Sequence, residues 1–255
     1  MKFECILIAS IVLLFVSCKK ETGVTSKYIG GTQIDKIYDA DVSGSGAHDN
    51  ATFCYFYDSN NRVNLIKEYD TTLNASLVVV KINYRKIQYA YDAKGKVTIE
   101  SVTSYSPVIS NITTKYFYDV FNRMKKKEIY SGSVFTDSTV YTYLTNKIVS
   151  KYGINVVDTF YLNSVTQNLD STYFGAGGST YRYIMDDKIN IFRTHDFALN
   201  PYDINPYRCD YNIRKVKTSF GNFNYKYTYN PNNYPASYST ILGSGSGCLV
   251  TFYYK

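Results

Sequence analysis

The chain alternates aromatic and polar residues through many short segments. In residues 53–57, and again in residues 223–229, an aromatic side chain stands at every second position. A period of two places such side chains on one face of a β-strand. The pattern therefore predicts strands with one aromatic face, and after the apolar N-terminus no segment shows the period of a helix.

A short pattern recurs along the chain, in copies that begin at Tyr55, Tyr89, Tyr116, Tyr181 and Tyr227. Each copy reads Tyr-x-Tyr, mostly followed by Asp or Asn. Four residues after the second tyrosine stands a residue type that tolerates a left-handed backbone. These residues are Asn61, Gly95, Asn122, Asp187 and Asn233. Each copy thus predicts a hairpin with a type I turn, often with a bulge. Residues 141–149, 159–167 and 207–216 are looser copies.

The hairpins together predict an all-β fold. About eight hairpins and a final strand form an antiparallel meander of about sixteen strands, which curls into a large sheet or a barrel-like shell. The turn motif and the segment "YNPNNYPAS" resemble the Tyr-Asp (YD, RHS-like) repeats of bacterial shell proteins. They also resemble an uncharacterised family of Bacteroidetes lipoproteins with a porin-like β fold. The resemblance covers residues 50 to 255 and implies a fold and an envelope location, with no catalytic residue to transfer.

The N-terminus has the features of an export signal. Lys2 is followed by an apolar run over residues 5–16, which is the length of a signal-peptide core and too short to span a bilayer. The sequence "FVSCKK" resembles the bacterial lipoprotein signal, in which the cysteine, here Cys18, is diacylated. This predicts a signal peptide at 1–17, a lipidated cysteine and polar tether at 18–50, and a repeat domain at 51–255. Within the tether, residues 32–38 could form a first strand.

The predicted location is the outer membrane, with the lipid as the membrane partner. In the resembled lipoproteins an acidic run after the cysteine accompanies surface display, whereas here "KKETG" follows Cys18, which favours the periplasmic face. A strand through residues 123–130 would carry charges on both faces, which favours a tethered soluble sheet over a membrane-inserted barrel. The net charge of +7 permits attraction to anionic surfaces. An exported protein is not expected to meet nucleic acid.

Candidate chemistry is sparse. Asp39, Asp41 and Ser43 are spaced like ligands of a calcium loop, but Asn50 stands where such a loop needs a bidentate Glu. A solvated polar loop is therefore the preferred interpretation. His195 precedes Asp196, but no serine nucleophile can be assigned to them. We expect neither an enzyme nor a cofactor.

Three cysteines, Cys54, Cys209 and Cys248, remain after signal cleavage and lipidation. Either they are buried thiols, or Cys209 and Cys248 form a disulfide, and both interpretations stay open. Their spacing does not match a metal site.

Two functional classes are compatible with these features. One is an envelope module that binds a glycan or a protein through loops and exposed tyrosines. The other is a structural β-protein without a small-molecule ligand. A tyrosine ladder that is fully packed would favour the structural class, and a patch of exposed tyrosines would favour the binding class.

Overall fold

The computed structural model describes residues 33–41, 48–73, 79–105, 108–153, 156–189, 211–241 and 247–254. These residues form sixteen strands in chain order. The strands are β1 (Ile34–Asp41), β2 (His48–Tyr57), β3 (Val63–Leu73), β4 (Val79–Tyr91), β5 (Val97–Ser104), β6 (Ser110–Tyr118), β7 (Met124–Ser131), β8 (Val134–Leu144), β9 (Lys147–Tyr152), β10 (Val156–Leu162), β11 (Leu169–Phe174), β12 (Ser179–Ile189), β13 (Tyr211–Thr218), β14 (Gly221–Tyr229), β15 (Pro235–Ile241) and β16 (Gly247–Tyr254).

The strands form a closed antiparallel barrel in which each pairs with its sequence neighbours. Closure joins the two ends of the described chain, since β1 pairs with both β2 and β16. This confirms the predicted all-β meander and decides between an open sheet and a closed shell. The barrel starts at Ile34, inside the segment assigned to the tether. The first strand that was predicted as possible at residues 32–38 is therefore present and forms β1 of the barrel.

Four predicted turns have the expected backbone. Asn61, Gly95, Asn122 and Asn233 lie at φ of 60°, 82°, 58° and 62°. A bulge precedes each turn, at Tyr57, Tyr91, Tyr118 and Tyr229. The looser copies at 141–149 and 159–167 are also turns, with Asn146 and Gln167 at φ of 59° and 58°.

Two copies of the motif do not form turns. The prediction at Asp187 was wrong, because β12 continues through Ile189 with a register shift after Met185. Here Asp186 accepts hydrogen bonds from the Lys188 and Asn212 amides at 2.9 and 3.2 Å. These bonds stabilise a bulge in a strand instead of a chain reversal. The turn predicted from the copy at 207–216 was also wrong in the residues that the structure describes, because these residues, from Tyr211 onward, belong to strand β13.

The aspartate of the motif holds the turn together. In the hairpin between β6 and β7, the Asp119 carboxylate accepts bonds from the Phe121 and Arg123 amides, each at 2.9 Å. It also accepts a bond from the Arg123 guanidinium at 2.8 Å. Burial raises the pKa of Asp119, but these bonds outweigh it and lower the pKa. Asp58 has the same arrangement in the hairpin between β2 and β3.

The second tyrosine of the motif links one hairpin to the previous one. Its hydroxyl donates to the carbonyl that opens the preceding strand, as in the 2.8 Å bond from Tyr118 to Val97. The same bond joins Tyr57 to Ile34, Tyr91 to Val63, Tyr143 to Met124 and Tyr254 to Pro235. The cation of the motif then covers the next such ring, with Arg123 lying 4.5 Å from the Tyr143 centroid.

The first tyrosine of the motif fills the barrel. Tyr55, Tyr89 and Tyr116, and Tyr141 of the looser copy, point inward and are buried. They pack with the aliphatic residues of the inner face, which include Ile66, Ile87, Ile148, Val97 and Val216. The inner tyrosines therefore stabilise the core, as the packed-ladder interpretation predicted.

Loss of the tyrosine hydroxyl that bonds one hairpin to the previous one should lower the stability of the barrel by a measurable amount. We expect Tyr118→Phe to lower the free energy of unfolding by about 1 kcal/mol, because it leaves the carbonyl of the buried Val97 without this donor. Tyr173→Phe is the matched control, since Tyr173 points outward and is 39% exposed. Urea unfolding of both variants measures the difference, and equal losses would contradict a role for the bond.

Candidate functional site

Several residues singled out in the sequence lie outside the described residues. These are Cys18, Ser43, His195, Asp196 and Cys209. Asp39 and Asp41 belong to strand β1, opposite Val250 and Cys248, and not to a loop. Among the described residues, no group of three or more His, Cys, Asp or Glu could hold a metal ion.

The described cysteines are thiols. Cys54 lies half-buried in β2, and Cys248 lies buried in β16. The Thr240 hydroxyl donates to the Cys248 sulfur at 3.5 Å. This favours the buried-thiol interpretation for Cys248 over a bridge to Cys209.

Inside the barrel, Glu68 and Arg85 form an ion pair between β3 and β4. Only 3% of Glu68 is exposed. Burial raises the pKa of Glu68 to about 7, against the opposing effect of Arg85. Glu100 and Tyr89, which are opposite each other on β5 and β4, are also buried. The Glu68–Arg85 ion pair joins β3 and β4 on the inner face of the wall.

The charges divide between the two faces of the wall. The buried acids Glu68, Glu100 and Asp158 face inward. In most parts of the barrel, cations occupy strand positions that point outward. They include Lys36, Lys67, Lys86, Lys115, Lys126, Lys151, Arg182, Lys217 and Lys226. The outer wall therefore favours anionic partners.

A barrel that spans a bilayer presents an apolar band outward and a polar lumen. In the described residues both faces are mixed. The inside holds tyrosine and aliphatic side chains together with the buried acids Glu68, Glu100 and Asp158, and the outside carries lysine, threonine and serine together with exposed apolar side chains such as Phe56, Phe117 and Leu249. None of the described segments is a helix of the length and hydrophobicity needed to cross a membrane.

Three tyrosines stack on the outer face of the barrel. Tyr69 on β3 lies opposite Tyr84 on β4, with ring centroids 5.1 Å apart. Tyr105 follows β5 and stacks on Tyr84 at 5.0 Å, held by a bond from its amide to the Tyr84 carbonyl. Tyr69 and Tyr105 are 39% and 44% exposed. Burial and the two neighbouring phenols raise the pKa of Tyr84.

This outer row continues onto β2 and β1. Residues opposite each other in a sheet share a face, so the register places Thr52 beside Tyr69, and Tyr38 beside Thr52. A second row lies two residues away along the same strands. Its members are Tyr253, Lys36, Cys54, Lys67 and Lys86. Aromatic faces and cations therefore occupy adjacent rows of one surface.

The outer row, which we call the tyrosine row (Tyr38, Thr52, Tyr69, Tyr84 and Tyr105), was not predicted from the sequence. Tyr69 and Tyr84 stand outside the Tyr-x-Tyr motif, and their proximity follows from strand register. The available signal was the presence of tyrosines at strand positions that the motif does not explain.

Neither a family model nor a curated protein matches the chain. Among solved structures, the chain is similar to a porin-like protein from Bacteroides uniformis ATCC 8492. The two share 12% identity with a TM-score of 0.45, over 87% of this chain and 96% of that one. The barrel described above follows from the strand pairing itself, and membership in a lipoprotein or YD-repeat family stays a prediction.

The Glu68 carboxyl predicts a pH-dependent stability. Its folded-state pKa of about 7 lies above the ordinary value of 4.5, so the protonated form is favoured by folding. This stabilisation is complete below pH 4.5 and is lost as the pH rises through 7. We expect the unfolding free energy of the wild type, relative to Glu68→Gln, to fall by about 2 to 3 kcal/mol between pH 5 and 8.

Urea unfolding at several pH values measures this difference. Glu128→Gln is the control, because Glu128 lies on the outer wall and hydrogen bonds from Lys126 and Tyr130 lower its pKa. The control should therefore show no such change over this pH range. An equal pH dependence in the wild type and in Glu68→Gln would show that Glu68 does not titrate there.

Proposed function

We propose that this chain is a lipid-anchored protein of the cell envelope, and that its barrel binds a glycan on the outer wall without catalysing a reaction. The observation that carries the proposal is the exposed stack of Tyr69, Tyr84 and Tyr105. Aromatic faces and phenol hydroxyls suit sugar rings, which present apolar C–H faces and hydroxyl edges.

The position of this stack supports a binding role. The inner tyrosines contribute to packing and to bonds between hairpins, whereas the outer stack brings three rings together on the outer face, with Lys67 and Lys86 in the neighbouring row. Exposed aromatic groups on such a surface commonly mark an interaction site. The second candidate is a purely structural envelope protein, which the extent of inner tyrosine packing favours.

The envelope location is supported by the N-terminal sequence. An apolar run that ends in Ser17 and Cys18 is typical of a lipoprotein signal. We propose that the lipid on Cys18 anchors the barrel to the outer membrane, on its periplasmic face.

Lipid labelling tests the anchor. We expect the wild type to incorporate labelled palmitate in cells of the source organism, and Cys18→Ala to incorporate none, because the thioether carries the lipid. Cys54→Ala is the matched control and should be labelled like the wild type. The protein should resist protease in intact cells and be cut once the outer membrane is opened. An unlabelled wild type would contradict the anchor, and digestion in intact cells would place the barrel on the surface.

Affinity electrophoresis through gels that contain neutral or acidic polysaccharides tests the binding role. We expect at least one polysaccharide to retard the protein, and Tyr69→Ala to weaken that binding about tenfold, since the loss of one stacked ring costs about 1.4 kcal/mol. Tyr173→Ala removes an equally exposed ring elsewhere on the barrel and should leave binding unchanged. Migration unaffected by any polysaccharide would favour the structural candidate.

A further inference from the structure

The tyrosine row contains one gap. Tyr38 and Tyr69 are both opposite Thr52, on either side of it. Adjacent strands lie about 4.8 Å apart, so these two tyrosines are about 9.6 Å apart across the row. Two stacking contacts of about 3.5 to 4 Å each need about 7 to 8 Å, so one ring fits between the tyrosines.

The rest of the described row is closed to such a ring. Tyr69 and Tyr84, and likewise Tyr84 and Tyr105, stack on each other at 5.1 and 5.0 Å. These rings are in contact and leave no space between them. The small side chain of Thr52 therefore creates a slot with an aromatic wall on each side and a hydroxyl at its floor.

Two lysines lie beside the slot. Lys36 and Lys67 stand two residues from Tyr38 and Tyr69 on the same strands and are both opposite Cys54. Lys36 lies over the Tyr253 ring at 4.5 Å, and Lys67 over the Phe56 ring at 5.0 Å. Burial raises the pKa of the Cys54 thiol, and both ammonium groups oppose this rise, as expected of cations that are close to it. Asp35 also lies near this thiol and acts in the opposite direction to the two lysines.

The row that holds Lys36, Lys67 and Lys86 carries a cost for the sheet, although Lys36 and Lys67 also lie over aromatic rings. Lys67 lies directly opposite Lys86 on the outer face. Like charges opposite each other destabilise an antiparallel pair. An anionic ligand in the slot would reduce the repulsion between these lysines. The row therefore suits a ligand with negative charge.

We propose that the slot between Tyr38 and Tyr69 holds one ring of an acidic sugar, with its carboxylate directed at Lys36 and Lys67. This inference rests on the proposed glycan-binding function and names its ligand class. Single-stranded nucleic acid is also anionic, but it needs a series of successive stacking positions. The described row provides one slot, which fits a single ring of a polysaccharide better.

The probes are polygalacturonate and the same polymer with its carboxyl groups reduced to alcohols. Binding of the full chain is measured by affinity electrophoresis and titration calorimetry. We expect the wild type to bind the acidic polymer at least tenfold more tightly than the reduced one, and added salt to remove most of that preference. Lys36→Gln/Lys67→Gln should bind both polymers equally, within twofold, at the level of the wild type with the reduced polymer.

Filling the gap tests the slot without removing either aromatic wall or either lysine. Thr52→Tyr adds a ring between Tyr38 and Tyr69 and should abolish binding of both polymers. A tyrosine suits an exposed strand position, and an unchanged circular dichroism spectrum and melting temperature would confirm the fold. Lys217→Gln/Lys226→Gln changes outward lysines on β13 and β14 and should bind like the wild type.

The outcomes separate this inference from the proposed function. If the wild type binds both polymers equally, the acidic ligand is wrong while glycan binding stands. If Thr52→Tyr binds like the wild type, the slot is wrong. If the wild type binds neither these polymers nor any other polysaccharide in the gels, both proposals fail. If an oligothymidylate displaces polygalacturonate and binds more tightly, the anionic surface serves nucleic acid and the inference is overturned.

Discussion

The barrel depends on one hydrogen bond that is repeated between hairpins. In the copies that end at Tyr57, Tyr91 and Tyr118 the second tyrosine donates its hydroxyl to a carbonyl at the start of the preceding strand, whereas Tyr229 donates to the Asp186 carboxylate. Antiparallel pairing alone would leave each hairpin able to pivot on its neighbour. The side-chain bond fixes the end of one hairpin against the beginning of the previous one. Because the Tyr57 bond to Ile34 reaches the first strand, the same interaction supports the closure of the barrel.

The motif is therefore a unit of architecture. Its aspartate closes the turn, its asparagine or glycine supplies the left-handed residue, its tyrosines fill and link the wall, and its cation covers the next ring. In the regular copies the aspartate, the second tyrosine and the cation each contact another part of the barrel, so the motif by itself does not indicate a ligand site. This is why function has to be sought at positions that the motif does not use. Tyr69, Tyr84 and Tyr105 are such positions.

The features predicted from the sequence are those with a local cause. Asn122 was placed in a turn because a left-handed backbone favours asparagine whatever surrounds it. Asp187 was misplaced because similar letters occur in a strand, where Asp186 binds the Asn212 amide and the Tyr229 hydroxyl. Those partners are distant in the sequence. The tyrosine row has the same dependence, since its register is set by bulges and loop lengths that no short pattern encodes.

The proposed slot also connects binding to the closure of the barrel. One of its walls, Tyr38, lies on β1, which is the strand that joins the two ends of the barrel by pairing with β2 and β16. The other wall, Tyr69, lies on β3 and needs no closure. The distance between the walls is therefore correct only when β1 is paired on β2, and the β16 pairing holds β1 there from its other edge. A ligand that contacts both walls would bind the closed barrel in preference to an opened one, and by mass action it would stabilise the closed state.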